Sequence, residues 1–420
     1  MKARFLPEAR GLAALLATGL LATTPSPAPA QAQPAGPAPA AAPARAAVPG
    51  VLAAETVLVK EVPAPLPSDP AAALWDSLPA TTMVASPQVT IRLNDRKANE
   101  ALAKAANRPV RVRAATDGEA LAVIVEWPDA TESRATPDET DVYGDAAALQ
   151  LPLRFGAGVR LPYVGMGDDE QPVAVYLQRA APQGAVSRQA IGSGFGTLQR
   201  KDLGGVRVGM RYDAGARAWR ALFLRPLAAG GHDLRRGLVP FSVAVWDGAG
   251  LERGGNKALG GWKLLRLERY PVDPAFLAEL SWGHAPGDLG DPRRGQELFE
   301  GACTVCHTAG AQRAAPGLAP DLSAIGAIAT PGYLRDSILA PSAVIVPSPN
   351  PAQHQDRSGK PGPTGAWPAD EGYVWHQRGP DGKKTSTMPE YASMPKEDVA
   401  AIVAYLRTLG AEPPGAGSKP

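Results

Sequence analysis

The chain has 420 residues, with 43 Lys and Arg against 41 Asp and Glu, and only two cysteines. A formal charge of +2 leaves no basic surplus for nucleic acid or anionic lipid, whose binding relies on excess Lys and Arg. So few cysteines rule out a disulfide-dense scaffold, and the length suggests two domains.

In chain order, Lys2, Arg4 and Arg10 precede the apolar run GLAALLATGLLA (11–22), and Ala30-Gln31-Ala32 supplies a small-residue cleavage site. Residues 1–32 therefore read as a signal peptide, with the periplasm as destination. The run is about 12 residues, short of the about 20 that span a bilayer; an uncleaved anchor is the alternative. Cleavage would remove three basic groups and Glu8, leaving 40 basic against 40 acidic. Residues 33–58 form an Ala/Pro-rich linker, too poor in apolar bulk to fold by themselves.

Residues 59–280 carry a β pattern. QVTIRL (88–93), RPVRVRAA (108–115), ALAVIVEW (120–127), DAAALQLPL (145–153) and PVAVYL (172–177) each read as a strand. GVRVGMRY (205–212), RAWRALFL (217–224), PFSVAVW (240–246) and GWKLLRLERY (261–270) bring the number to about nine. Short strands between Gly, Pro and Asp punctuation predict an all-β antiparallel sandwich. No catalytic constellation stands out in it; His232 reads as a surface loop residue, and Met210 as core.

Residues 284–415 turn helical, predicting an all-α second domain. Asp291 caps DPRRGQELFEGA (291–302), with Pro292 at the first helical position. PGYLRDSILA (331–340) follows. PKEDVAAIVAYLRTLG (395–410) places Val399, Ile402, Val403 and Leu406 on one face and stops at Gly410. Residues 347–385 read as a long loop.

Both cysteines lie in CTVCH, as Cys303 and Cys306, with His307 next. This is the attachment signature of haem c. Two thiols one turn apart can add to the two porphyrin vinyl groups, and the adjacent histidine then falls beneath the iron. A thioredoxin-like dithiol would want a βαβ context, and a structural zinc site about four Cys/His ligands. Downstream, Met388 and Met394 are candidate sixth ligands; His354 and His376 read as loop histidines.

The second domain resembles the class I cytochrome c family in Gly295 and Phe299, CTVCH, Pro320-Asp321-Leu322, Met388-Pro389 and IVAYL (402–406). That resemblance implies one covalent haem c on Cys303 and Cys306, with His307 and Met388 on the iron. It also implies that the Pro320 carbonyl fixes the His307 ring. The first domain resembles the haem b-binding γ subunit of ethylbenzene dehydrogenase and its relatives. ALWDSLP (73–79), DGEALAVIVEWPD (117–129), DAAALQLPL and YVGMGDDEQPVAVYLQ (163–178) carry the likeness. So do GFGTLQ (194–199) and VAVWDGAGLERGGNKALGGWKLLRLE (243–268). The likeness implies one non-covalent haem b between Met166 and Lys257, with Tyr176 where relatives often carry tryptophan. Met83 and Lys263 are weaker ligand candidates.

The family implies an electron-transfer protein serving a type II molybdoenzyme of the dimethyl sulfoxide reductase family. Such enzymes act on nitrite or nitrate, chlorate, selenate, dimethyl sulfide or hydrocarbon. Its partners would be a molybdenum catalytic subunit, an iron–sulfur subunit, and a soluble cytochrome or terminal oxidase, with no catalytic site on this chain. The second reading keeps one haem c and makes the β domain a non-haem, carbohydrate-like binding module.

Overall fold

The computed structural model describes residues 50–90, 93, 95–136, 139–314, 319–346 and 376–410. The signal segment, most of the linker, His354 and residues 347–375 lie outside them. All described residues fall in one compact unit.

Among the described residues thirteen strands, rather than about nine, form one large and mainly antiparallel sheet. They are β1 (Thr56–Glu61), β2 (Thr81–Pro87), β3 (Arg108–Thr116), β4 (Ala120–Pro128), β5 (Ala146–Pro152), β6 (Val173–Ala181) and β7 (Gly184–Gly192). Then come β8 (Gln199–Arg200), β9 (Arg207–Asp213), β10 (Ala218–Pro226), β11 (Leu238–Trp246), β12 (Ala258–Gly260) and β13 (Lys263–Leu267). The order is β8-β7-β6-β5-β11-β12-β2-β3-β4-β10-β9. A second route joins β11 to β3 through β13 and β1, where β1 runs parallel to both neighbours.

The sheet closes over its own core. Gln178 on β6 donates to the Leu222 carbonyl on β10 at 2.6 Å, and Trp219 on β10 donates to Asp145 at 2.8 Å. Val123 and Val125 of β4, Leu149 of β5, Phe223 of β10 and Val243 of β11 fill the space between. The other face of β4 and β10, with Ile124 and Leu222, is covered by Trp75 on helix α1 (Ala73–Ser77). Burial on both sides explains why ALAVIVEW is apolar without alternation.

The second domain is helical. Between it and α1 come α2 (Arg96–Lys104) and α3 (Pro274–Ser281). Then follow α4 (Pro292–Ala302), α5 (Ile325–Ile328), α6 (Pro331–Leu339) and α7 (Lys396–Thr408). The Asp291 carboxylate caps α4 by accepting from Arg293 N–H at 2.9 Å. Helices α4 and α7 cross where Gly295 meets Ala401: a Cβ on Gly295 would lie 1.9 Å from the Ala401 carbonyl oxygen. Phe299 and Tyr405 pack beside that crossing, ring centres 5.4 Å apart.

Several expectations need correction. The linker does not run to 58, because Leu52 is buried against Leu238, Leu264 and Phe276, and β1 begins at Thr56. Residues 88–90 are a turn, not a strand; the ladder is β2, which ends at Pro87, a residue with no N–H to continue it. Inside 347–385, β14 (His376–Arg378) pairs with β15 (Lys384–Ser386), and His376 is buried.

His232 is not a surface residue. It is 4% exposed, and its Nδ1 accepts from the Arg225 guanidinium at 3.2 Å. Burial and then the Arg225 charge push its pKa down to about 4 from an ordinary 6.5. The ring is therefore neutral when folded, and its contribution is complete above pH 6.5 and lost as pH falls through about 4. Linkage sets the ceiling at about 3 kcal/mol. Urea unfolding at pH 7 and pH 4 should show a smaller loss in His232→Gln than in wild type; equal losses would remove His232 from the acid response.

Candidate functional site

CTVCH follows directly on α4. The chain turns once after the helix: Cys306 N–H and His307 N–H both donate to the Cys303 carbonyl, at 3.1 and 2.9 Å. Cys303 is half-buried and Cys306 exposed, neither in a disulfide. His307 Nδ1 donates to the Pro320 carbonyl at 3.0 Å. A carbonyl only accepts, so this bond places the proton on Nδ1 and leaves the Nε2 lone pair available to a metal.

Both methionines of the C-terminal segment are half-buried. Met388 N–H donates to Ser386 Oγ at 3.0 Å, which ties it to the end of β15. Met394 packs on the apolar cluster that also takes up Cys303. Between them Tyr391, its phenol raised by burial and then by Cys303 and Cys306, marks this segment as a neighbour of the two thiols.

In the sheet domain, Met166 sits in a tight turn at φ 83°, a left-handed conformation rare for a residue with a Cβ. The turn is held by Asp168, which is buried and accepts Arg160 through both oxygens at 2.9 Å, and Tyr163 N–H at 2.9 Å. Such backbone outliers concentrate at binding sites, where surrounding contacts enforce them. Asp168 was invisible as a positioning group in the sequence, where it looks like one more polar loop residue.

Lys257 ends the ERGGNK turn. Glu252 of that turn pairs with Arg108 at 2.7 Å, Arg253 with Asp95 at 2.7 Å, and Asn256 donates to Asn99 on α2 at 3.2 Å. The Lys257 carbonyl accepts Gln88 N–H at 2.9 Å. Its side chain is 4% exposed. Among the described residues its ammonium has no ion pair or hydrogen bond; the Trp246 ring lies 5.4 Å away. Burial alone lowers its pKa from 10.5 to about 8. A buried amine without a counter-charge is costly, and it fits a ligand role, because the neutral form offers a lone pair.

Met166 itself packs on Tyr163 and Phe195, while near neighbours of both turns in the chain share one apolar cluster. Val164, two residues before Met166, shares a cluster with Ala146, Ala148, Val175, Trp246 and Leu259, the last two residues after Lys257. The same cluster continues into Phe299, Ile325, Leu334 and Ile402 of the helical domain. Tyr163 and Tyr333 meet across that boundary, ring centres 5.8 Å apart. A cavity of about 220 Å³ opens beside them, lined by Val164, Trp262 and Trp282; Met166 and Lys257 do not line it.

The other candidates lie elsewhere. Tyr176 faces the opposite side of β6 from Val175, inside the closed sheet, where its hydroxyl accepts from Arg225 at 2.9 Å. Met83 is core, Lys263 pairs with Glu55, and Met210 packs half-buried on the sheet core.

The comparisons follow this division. Residues 72–207 match the family described as ethylbenzene dehydrogenase, and residues 292–410 match cytochrome c. The chain is 31% identical over 201 residues to the chlorate reductase subunit gamma of Ideonella dechloratans, covering 46% of this chain and 76% of that one. It is 26% identical over 232 residues to a protein of Haloferax mediterranei whose name, heme subunit ORF7, ties it to a respiratory nitrate reductase; the match covers 54% of this chain and 76% of that protein. Among solved structures, a family 9 carbohydrate-binding module from Caldicellulosiruptor kristjanssonii in complex with glucose aligns at a TM-score of 0.30 with 9% identity. That alignment covers 52% of this chain and 97% of the other. Matched along the sheet and again along the helices, the chain belongs to the ethylbenzene dehydrogenase family, in a form that continues into a cytochrome c domain.

Proposed function

We propose that this chain is the dihaem electron-transfer subunit of a type II molybdoenzyme complex, exported to the periplasm after loss of residues 1–32. In this reading the closed sheet is the family's sandwich. Met166 and Lys257 hold a haem b at its end, and Cys303, Cys306, His307 and Met388 hold a haem c. A bound haem supplies one-electron chemistry at its iron. The protein's part is ligation, orientation and exclusion of water. Lys257 donates as a neutral amine, His307 is oriented by Pro320, and Asp168 and Asn99 hold the two ligand turns in place. The chain would pass single electrons between an iron–sulfur subunit and a soluble cytochrome or oxidase. The relatives' names support nitrate or chlorate chemistry in the partner enzyme.

The observation that carries this reading is one apolar cluster shared by residues of the sheet domain and of the helical domain. It runs from Val164 and Leu259, each two residues from a proposed haem b ligand, to the side chains that pack on Cys303. A module that bound a ligand independently of the cytochrome would have no use for that continuity.

A redox titration of the full chain followed by spectroscopy tests the proposal. Two haem signals should appear at separate potentials. Met388→Ala should abolish the methionine-to-ferric-iron charge-transfer band and lower only the covalent haem's potential, because the soft thioether favours reduced iron. A surviving band would transfer the role to Met394. A single haem signal in wild type would leave the binding-module reading in possession.

A further inference from the structure

At one end of the sheet, Asp129, Asp145 and Asp247 each bring a carboxylate oxygen within 4.8 Å of the other two. They come from three separate stretches: Asp129 just after β4, Asp145 just before β5, and Asp247 just after β11. Asp129 is 7% exposed and Asp145 0%, so two of the three negative charges are out of water. Asp145 is held rigidly. Its Oδ2 accepts Ser133 N–H at 2.7 Å and Trp219 Nε1–H at 2.8 Å, and its Oδ1 accepts Gly248 N–H at 2.8 Å. Asp129 commits Oδ1 to the Thr131 N–H and hydroxyl at 3.0 and 3.2 Å, while its Oδ2 is buried and accepts nothing from the described residues.

The local positive charge does not balance the group. Arg108 reaches Asp247 at 3.8 Å, but both oxygens of Glu252 already engage its guanidinium. Burial, and then the neighbouring carboxylates, push Asp145 up to about 7 and raise Asp129 as well. Burying like charges side by side, one of them with an idle oxygen, is unfavourable unless a cation joins them.

We propose that Asp129, Asp145 and Asp247 hold a divalent cation that clamps three loops at this end of the sheet. The donors are all hard oxygens, with no histidine or thiol among them, which selects calcium over zinc or copper. Carboxylates from three irregular stretches suit calcium's tolerance of uneven coordination better than magnesium's stricter octahedron. The ion would also fix the start of the turn leading to Lys257: Asp247 N–H donates to Glu252 at 3.0 Å, and Glu252 N–H returns to the Asp247 carbonyl at 3.1 Å.

Chelator-stripped, haem-containing full-length protein should be titrated with calcium chloride in a calorimeter and melted with and without it. Wild type should show saturable one-site binding and a higher melting temperature with calcium. Asp129→Asn and Asp247→Asn should each weaken binding by about tenfold or more, since affinity follows ligand charge. The Asp247 side chain is 30% exposed, so that variant keeps the fold even if Asp129→Asn does not. No heat and no melting shift up to about 10 mM calcium, weaker than the weakest extracellular sites, would overturn the site. So would Asp247→Asn binding with wild-type affinity, and magnesium binding as tightly as calcium would overturn the choice of ion.

Discussion

Replacing Cys303 and Cys306 together with alanine should remove covalently bound haem from the chain completely. The measurement is haem stain on denatured, acid-acetone-washed protein, and a surviving stain would end the assignment. The geometry behind this is local. One helical turn separates the thiols and brings His307 directly after them, its Nε2 free because Nδ1 is given to Pro320. The alternative use of a Cys-x-x-Cys pair is dithiol redox, which depends on a thiol whose pKa is lowered. Here the reverse holds: burial, and then Cys306, push the Cys303 thiol up to about 11. A thiol so disposed is a poor nucleophile toward disulfides. Each single replacement should leave one thioether bond, and so covalent haem with an altered reduced spectrum. That graded outcome separates attachment from a general folding defect, which would strike singles and double alike.

What the sequence disclosed depended on how local the cause was. The α4 and α7 helices were legible because Asp291, Pro292 and Gly410 mark their ends and their apolar residues repeat at helical spacing. The His307–Pro320 bond was foreseen from resemblance alone, since residues thirteen apart give no periodic signal. Helix α2 was missed because its only buried side chains are Ala98 and Leu102, too few to show a helical period. Yet α2 carries Asn99, which braces the Lys257 turn. Strand β7 was missed for a similar reason. It pairs β6 along its length, but Val186, Ser187 and Arg188 face solvent, so it has no apolar face to detect.

Burial of polar residues was the least legible feature. His232 lies in a two-residue hairpin, Ala228–Ala229 with His232–Asp233, that turns its ring toward Arg225 only once β10 is in place. Tyr176 is different, because strand parity already separates it from Val175 and Leu177; alternation alone would have placed it on the far side of β6 from the candidate site. Asp129, Asp145 and Asp247 stand up to 118 positions apart, and nothing short of the sheet order brings them to one end.

Lys257→Leu should abolish non-covalent haem while leaving the covalent haem in place. Leucine has similar bulk and removes an amine that has no ion pair or hydrogen bond among the described residues and only the Trp246 ring beside it, so the variant should unfold at no lower temperature than the haem-stripped wild type. Loss of haem without loss of the fold is the signature of a ligand, whereas a structural lysine would show the opposite pattern. Lys257→Arg should fail too, because a guanidinium keeps its proton and offers no lone pair. The pH dependence has a definite sign. Burial alone brings the amine to about 8, so below that value binding must expel a proton. Affinity for extractable haem should therefore weaken by about tenfold for each unit below pH 8 and level off above it. Haem retention after dialysis at pH 6, 7, 8 and 9 reads this directly, with covalent haem as the internal reference. Retention independent of pH, or a Lys257→Leu protein that keeps its extractable haem, would take the amine out of the site; the Met166 turn would then need a different partner across the apolar face.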